Sequence, residues 1–507
     1  MTTIEQPMTF DQATRRVDHA QMFIDGRWGP ASAGVTFATV DPATGRTIAA
    51  VPRADASDVD RAVAAAKRVA VEWQFTDAIT RAGLLRTLAG LVTEHAEELA
   101  QLEALDSGHY LDKARELVGA IPLWLEYWAG LADKVGGRTI EVPGNKLAFT
   151  LLEPLGVTAH IVPWNYPLLI LVRSTAPALA LGNTCVVKPA EDTSLSALKY
   201  AELVAEAGFP DGVFNVVTGY GAEAGAALAA HPDVMGITFT GSTETGKTVA
   251  KLGAEHIAQV NLELGGKSPT IVFPDARLDD AVEGAVQGFC SHAGQVCVAG
   301  TRLFLHRDIA DEFLARLVER LRVARIGDPF DEGVQMGPLV SKKQFDRVRS
   351  YIEIGKREAT LFYGGGRPAG TDVDGYFVEP TVFTDVSPSD RIAREEIFGP
   401  VLSVFTWSDE DELVAAANDS DFGLFAAIWC SDITRALSTA RRLQVGGVMV
   451  NDWFGELPMA PHGGYKQSGT GREEGLESIA SYTQVKHVSV NLDDSPRASA
   501  DWAGAPL

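Results

Sequence analysis

The run FCSHAGQVCVAGTR, residues 289–302, sets Cys297 among small and apolar neighbours. A cysteine sulfur attacks carbonyl carbon readily, and no adjacent charge ties this one up in an ion pair. The same residue type in such surroundings also serves as inert core filling. Cys290, His292 and Cys297 share a spacing that could suggest a metal. A structural zinc site needs four ligands, however, and no second cluster has matching spacing, so no metal is expected. Glu263 stands 34 residues earlier in LELGGKSP, between two leucines and before Gly265 and Gly266. Apolar surroundings raise a carboxyl pKa toward the range a general base uses, while a capping or ion-paired glutamate is the plainer reading. Asn165, in VPWNYP, occupies a loop stiffened by two prolines. Its amide could donate to a developing oxyanion, the plainer use being a turn asparagine.

These three residues need a scaffold, and the pattern around them supplies one. From residue 150, short apolar runs alternate with helical periodicity: GVTAHIVPW, then a helix from 167; NTCVVKPA, then SLSALKYAELVAEAG; then GVFNVVTG and VMGITFTG, each ending in glycine before a helix. Such alternation predicts a doubly wound parallel sheet, which binds ligands beyond the carboxyl ends of its strands. A second βα-rich region runs from about 266 to 465. Upstream, residues 57–72 predict an amphipathic helix capped by Ser57, with more helix over 81–105 and 110–134. QMFIDGRW and VDPATGRTIAAV predict short strands with turns at Asp25-Gly26 and Thr44-Gly45, and residues 1–18 a loose arm or short helix.

With 507 residues, 46% hydrophobic and 22% charged, the chain can bury two or three domains. A net charge of −23 argues against nucleic acid or an anionic membrane as partner. Four scattered cysteines are no disulfide framework and suit a reducing compartment. The opening residues carry no apolar signal stretch, and Arg173 interrupts the longest apolar run, so a soluble cytoplasmic protein is expected.

Residues 241–248, GSTETGKT, satisfy the phosphate-binding pattern G-x-x-x-x-G-K-[ST] between a strand and a helix. In an ATPase or GTPase, Lys247 would meet the phosphates, Thr248 a magnesium ion, and Asp275 would be its metal-holding partner. A glycine turn entering a helix binds any phosphate, a dinucleotide's included, and is also an ordinary βα connection.

Taken together, PWNYP, VVKPAE, FTGSTETG, LELGGKSP, GQVC, EEIFGP and PHGGYKQSGTGRE resemble, in order and over about residues 22–490, the aldehyde dehydrogenase superfamily. The resemblance implies an α/β fold. A Rossmann-type dinucleotide-binding domain would span 1–131 and 155–262, and an α/β catalytic domain 263–465. A bridging, oligomerisation element would comprise 132–154 and 480–495, followed by a tail over 496–507; homodimers or homotetramers are implied. Cys297 would be the nucleophile, Asn165 and the Cys297 backbone N–H the oxyanion hole, and Glu263 the base that activates water against the thioester. Members that pass the acyl group to coenzyme A lack that glutamate, so hydrolysis is implied. NAD is the implied cofactor. Trp164, Gly241 and Ser242 would lie at the pyrophosphate, Lys188 and Glu191 at the adenosine ribose, Gly225 at the adenine, and Leu264 beside the cofactor. Glu396 and Phe398 would clamp the nicotinamide ribose. A carboxylate at Glu191 repels a 2′-phosphate, which disfavours NADP, and Lys188 softens that repulsion. The resemblance makes the Lys247-Thr248 pair coincidental. Cys290 departs from the aromatic or aliphatic residue usual at its position.

The aldehyde is not named by the sequence. Arg173 resembles the arginine with which succinic-semialdehyde members hold a carboxylate, and could equally pair with a carboxylate of the protein. Trp124, Trp128, Trp453 and Phe454 could line an apolar tunnel or fill the core, and Glu456 could suit a cation.

Overall fold

The computed structural model describes residues 8–453, 455 and 457–494. Its first sheet has eight strands in the order Gly469–Thr470, Gln259–Glu263, Gly236–Thr240, Val157–Ile161, Thr184–Lys188, Phe214–Val216, Met22–Ile24, Arg27–Gly29. The five strands from Gln259–Glu263 to Phe214–Val216 are parallel, with antiparallel strands at both ends. Val157–Ile161, Thr184–Lys188 and Gly236–Thr240 are buried throughout, as parallel strands covered by helices on both faces must be. The chain starts at Val157–Ile161, moves outward to Phe214–Val216, and then returns to Gly236–Thr240 on the other side. The order therefore reverses between Val157–Ile161 and Gly236–Thr240. Such a reversal opens a crevice at the strand ends, because the two flanking helices leave toward opposite faces.

A seven-stranded second sheet has the order Thr360–Tyr363, Thr381–Thr384, Val401–Trp407, Arg302–His306, Pro269–Val272, Phe425–Trp429, Gly447–Val450. Only its first strand is antiparallel. Thr483–Asn491 pairs along its whole length with Lys146–Pro154, which also pairs with Thr139–Ile140, in a separate three-stranded sheet.

The helix Pro167–Ala180 is buried over its full length and begins at a proline, whose missing N–H would have had no helical partner. The next N–H, of Leu168, donates to Glu103 Oε1 at 2.9 Å. Trp73, Trp124 and Trp128 belong to the same hydrophobic core as this helix.

Three expectations need correction. The N-terminal segment is a hairpin, Thr9–Asp11 with Arg16–Asp18, not a helix; Arg15 at φ 52° turns the chain in the left-handed region. The first long helix, Ala56–Phe75, is capped by Asp55 and not Ser57, with Asp58 reciprocating in a capping box. The helical stretch over 81–105 is two helices, Ala78–Glu94 and Ala96–Ser107, with His95 ending one and starting the other.

Candidate active site

Asn165 and Glu263 both leave the carboxyl edge of the first sheet, Asn165 just after Val157–Ile161 and Glu263 as the last residue of its strand. Cys297 follows the helix Leu278–Cys290 and a short turn, Ser291–Gly294. Two contacts bring these segments together. The Asn165 amide Nδ2 donates to the Gln295 carbonyl at 3.0 Å, two residues before the cysteine. Gly266, three residues after Glu263, lies so close to the Cys297 carbonyl that a Cβ there would stand 2.4 Å from its oxygen. Only glycine allows that approach. Cys297 forms no disulfide and is half-buried, where the other three cysteines are buried.

Asn165 is 3% exposed and spends one amide hydrogen on Gln295. An amide has two, and the second is available to an oxyanion. Glu263 is also 3% exposed, with His462 Nε2 at 3.8 Å from its carboxylate. Burial holds its carboxyl well above the usual range; Glu473 and Glu474 add to the effect, and Arg173 and Arg472 oppose it. This is the environment a general base requires.

At the strand-order reversal, the exposed Ser242 caps the helix Thr243–Ala254 through the Thr245 N–H. The turn presents a helix N-terminus to the crevice, where backbone N–H groups and the helix dipole favour an anion. Lys247 points elsewhere: its Nζ donates to Gln467 at 2.7 Å. Thr248 bonds back to the Glu244 carbonyl, and Asp275 accepts from Asp432 N–H and Cys430 in another part of the molecule. The magnesium-nucleotide arrangement is therefore not assembled. Leu264 is buried against Gly246 of that helix.

Lys188, buried, pairs with Glu191 at 3.1 Å, and Gly225 would bring a Cβ within 3.7 Å of the lysine stem. Burial works against the charge of Glu191, yet Lys188 and backbone N–H groups bring its carboxyl below the ordinary value. An ionised carboxylate beside an ammonium and a bare backbone fits the hydroxyls and base of a nucleoside. Across the crevice, Trp164 and Phe398 meet edge to face with centroids 5.2 Å apart. Phe398 has φ 60°, a left-handed strain held by Gln344, whose amide donates to the Phe398 carbonyl at 2.6 Å. Glu396 accepts from Gly266 N–H at 2.9 Å. Burial pushes its carboxyl up to about 7, opposed by that N–H and by Lys267. Lys188 with Glu191 and Gly225, Ser242 at its helix start, and Trp164 with Phe398 form separate groups of contacts whose chemistry fits the parts of a dinucleotide.

A model of the aldehyde dehydrogenase family matches residues 28–488. The chain belongs to this family. A hydroxyisobutyraldehyde dehydrogenase of Mycolicibacterium austroafricanum is 74% identical over 500 residues, 99% of each chain. Aldehyde dehydrogenase 1A1 of Gallus gallus is 43% identical over 482 residues, 94% of each. Among solved structures, a betaine aldehyde dehydrogenase of Staphylococcus aureus in complex with NAD⁺ superposes with a TM-score of 0.93 at 39% identity, covering 96% of this chain and 97% of that one.

Within this aldehyde dehydrogenase the suggested substrate residues fare differently. Arg173 is 1% exposed and ion-paired with Glu473, which is itself buried. The arginine therefore meets a carboxylate of the protein, and its proposed use as a clamp for an acidic substrate is not supported. Trp453 packs in the core of the second sheet against Gly288 and Gly300, which places it as core and not as an open tunnel wall. Trp124 and Trp128 are core residues, and Trp124 donates to Glu474 at 2.8 Å. Phe454 and Glu456 lie outside the described residues. Cys290 packs in the same core as Trp453. Sequence reasoning missed His109, Gln295 and His462. His462 stood inside a quoted motif, but nothing in its spacing pairs it with Glu263.

Proposed function

We propose that Cys297, Asn165 and Glu263 carry out the NAD-dependent oxidation of a small branched hydroxyaldehyde to its acid. The observation that carries this reading is the convergence of the Asn165 loop and the Glu263–Gly266 segment on the backbone around Cys297. The Cys297 sulfur forms a bond to the aldehyde carbon, and the carbonyl electron pair moves onto oxygen. The Asn165 amide and the Cys297 backbone N–H receive that charge as donors fixed in place before the reaction. When the oxyanion closes again to C=O, the C–H bond breaks and a thioester remains. Bound NAD⁺ supplies the two-electron acceptor for this step. Glu263 then takes a proton from water, whose oxygen attacks the thioester carbon; the C–S bond breaks, releasing acid and restoring the thiolate.

Trp164, Gly241 and Ser242 hold the pyrophosphate of the cofactor, Lys188, Glu191 and Gly225 the adenosine, and Glu396 and Phe398 the nicotinamide ribose, with Leu264 beside the cofactor. The 74% identical relative carries hydroxyisobutyraldehyde in its name, which supports that substrate class. The pairing of Arg173 with Glu473 favours a neutral aldehyde over an acidic one. Residues 1–131 with 155–262 form the dinucleotide-binding part, 263–465 the catalytic part, and 132–154 with 480–495 the oligomerisation element of a cytoplasmic homodimer or homotetramer. No helix among the described residues is long and apolar enough to cross a membrane.

The test is NADH formation with hydroxyisobutyraldehyde, betaine aldehyde, succinic semialdehyde and straight-chain aldehydes, using wild type and Cys297→Ala. The reading requires the highest kcat/KM with the hydroxyaldehyde and none in the variant. Preference for the acidic aldehyde would overturn the substrate class, and an active Cys297→Ala the mechanism.

A further inference from the structure

Two buried histidines connect the oxyanion-hole loop to the nucleophile loop. His109 follows the left-handed Gly108 that ends the helix Ala96–Ser107, and its Nε2 lies 2.8 Å from the Asn165 carbonyl. A carbonyl only accepts, so Nε2 carries the hydrogen of this bond. The His109 ring stacks on His292 with centroids 3.6 Å apart and planes 14° from parallel, and Tyr166 packs tilted against His109 and edgewise against His292. Both histidines are at most 2% exposed.

His292 occupies a strained turn. It and Ala293 have φ of 47° and 53°, and Gly294 follows at 74°. Three successive left-handed residues are rare, since a Cβ crowds the following carbonyl there. The path is forced on Gly294 from outside: a Cβ on it would stand 2.4 Å from the Gly399 carbonyl. The turn also makes a connection. The His292 carbonyl accepts from both the backbone N–H and the side-chain amide of Gln295, at 3.1 and 3.0 Å. Gln295 Oε1 accepts from Val340 N–H at 2.9 Å, and the Gln295 carbonyl receives the Asn165 amide. The contacts close a ring: His109 to the Asn165 backbone, Asn165 side chain to Gln295, Gln295 to His292, and His292 stacked on His109.

We propose that His109 and His292 form a positioning device, in which the His109 hydrogen bond to the Asn165 carbonyl, more than the ring stack that joins it to His292, holds the Asn165 amide and the left-handed turn before Cys297 in one rigid unit. The inference rests on the roles of Asn165 and Cys297 given above. Burial supports the neutral form of both rings, lowering His109 to about 4 with Lys113 adding to it, and His292 well below its ordinary value.

His109→Phe keeps a ring for the stack and removes the donor to Asn165. His109→Gln retains an N–H donor and removes the stack. His292→Asn removes the ring but keeps a residue type that tolerates left-handed backbone. Kinetics with hydroxyisobutyraldehyde and NAD⁺ are measured beside the rate of Cys297 alkylation by iodoacetamide. The expected result for His109→Phe and His292→Asn is a fall in kcat of about ten- to a hundredfold at unchanged KM, the scale of a misplaced reacting group. Alkylation slows in parallel, and the double variant is little worse than either single one, because the ring of contacts breaks once. His109→Gln, with the donor kept, recovers part of the loss. Unchanged kcat and alkylation in a soluble His109→Phe or His292→Asn overturns the proposal, and His292→Asn decides alone should the phenylalanine variant not fold. Asn165→Ala and Cys297→Ala run in parallel. If they too are fully active, the active-site reading has failed, and not merely the stack.

Discussion

Glu263→Gln separates the two halves of the reaction. The substitution keeps shape and volume and removes only the group that takes a proton from water. Attack by Cys297 and loss of the aldehyde hydrogen precede that step, so the first turnover should proceed at nearly the wild-type rate. A positioned base is worth about 10²–10⁴ in rate. The thioester should therefore accumulate, giving a burst of about one NADH per active site followed by a steady rate lower by that factor. Rapid mixing with absorbance detection of NADH reads both phases. The wild-type steady rate should rise with pH through the elevated Glu263 carboxyl, because only the ionised form accepts a proton. The acid limb should vanish from the slow phase of the variant. A variant with no burst and wild-type steady turnover would refute Glu263 as the base.

The same substitution has a stability consequence whose sign is fixed. A carboxyl raised on folding contributes stability at pH below its unfolded value, and loses that contribution as pH rises through the folded one. Glutamine has no such loss. Glu263→Gln should therefore match or exceed wild type in melting temperature at neutral and alkaline pH, and an inactive, destabilised variant would point to a structural role instead.

Asn165→Ala should lower kcat by about 10²–10³, the measured scale for a single oxyanion donor, with intact coenzyme binding by fluorescence titration. Arg173→Met leaves Glu473 buried without its cation and should cost about 3–5 kcal/mol in urea unfolding. If Arg173→Met instead stays stable and loses only acidic aldehydes, the substrate-clamp reading returns. Glu191→Ser removes the carboxylate beside Lys188 and should narrow the NAD⁺ over NADP⁺ preference in kcat/KM by about tenfold, an unchanged ratio placing the discrimination elsewhere.

Much of this was legible in the sequence because buried parallel strands read as apolar runs and their connections as helix caps. The βα alternation after residue 150 needs nothing more than that, whereas the reversal that creates the crevice is a matter of strand order, which apolar runs do not encode. The N-terminal hairpin was not legible, since its turn depends on a left-handed Arg15, a conformation arginine does not advertise. Cys297, Asn165 and Glu263 came from blocks whose family resemblance exceeds what their local chemistry reveals. Arg173 shows the limit of reading a helix residue alone. Its partner Glu473 sits in a segment that returns to the first sheet through Gly469–Thr470, and no local pattern joins the two. His109 is equally silent, meeting Asn165 and His292 only through tertiary packing.

The charge balance around Glu263 adds to burial in raising its carboxyl. Three carboxyl groups, Glu263, Glu473 and Glu474, share the cluster with two guanidinium groups, Arg173 and Arg472. An enclosed site with one excess acid favours keeping a proton on one carboxyl, because uncompensated charge is costly there. Glu473 has the ion pair with Arg173, and Glu474 accepts from Trp124. Glu263 instead faces the His462 imidazole, which burial first, and then Arg173 and Arg472, hold well below its ordinary value and hence neutral. Burial first, and then Glu473, raise the Glu263 carboxyl against the opposing pull of Arg173 and Arg472. Its proton affinity is raised chiefly by burial, and further by Glu473 and Glu474 from the segment that follows the edge strand Gly469–Thr470. The base is thus tuned by residues remote from it in sequence, and its elevated carboxyl belongs to the whole cluster.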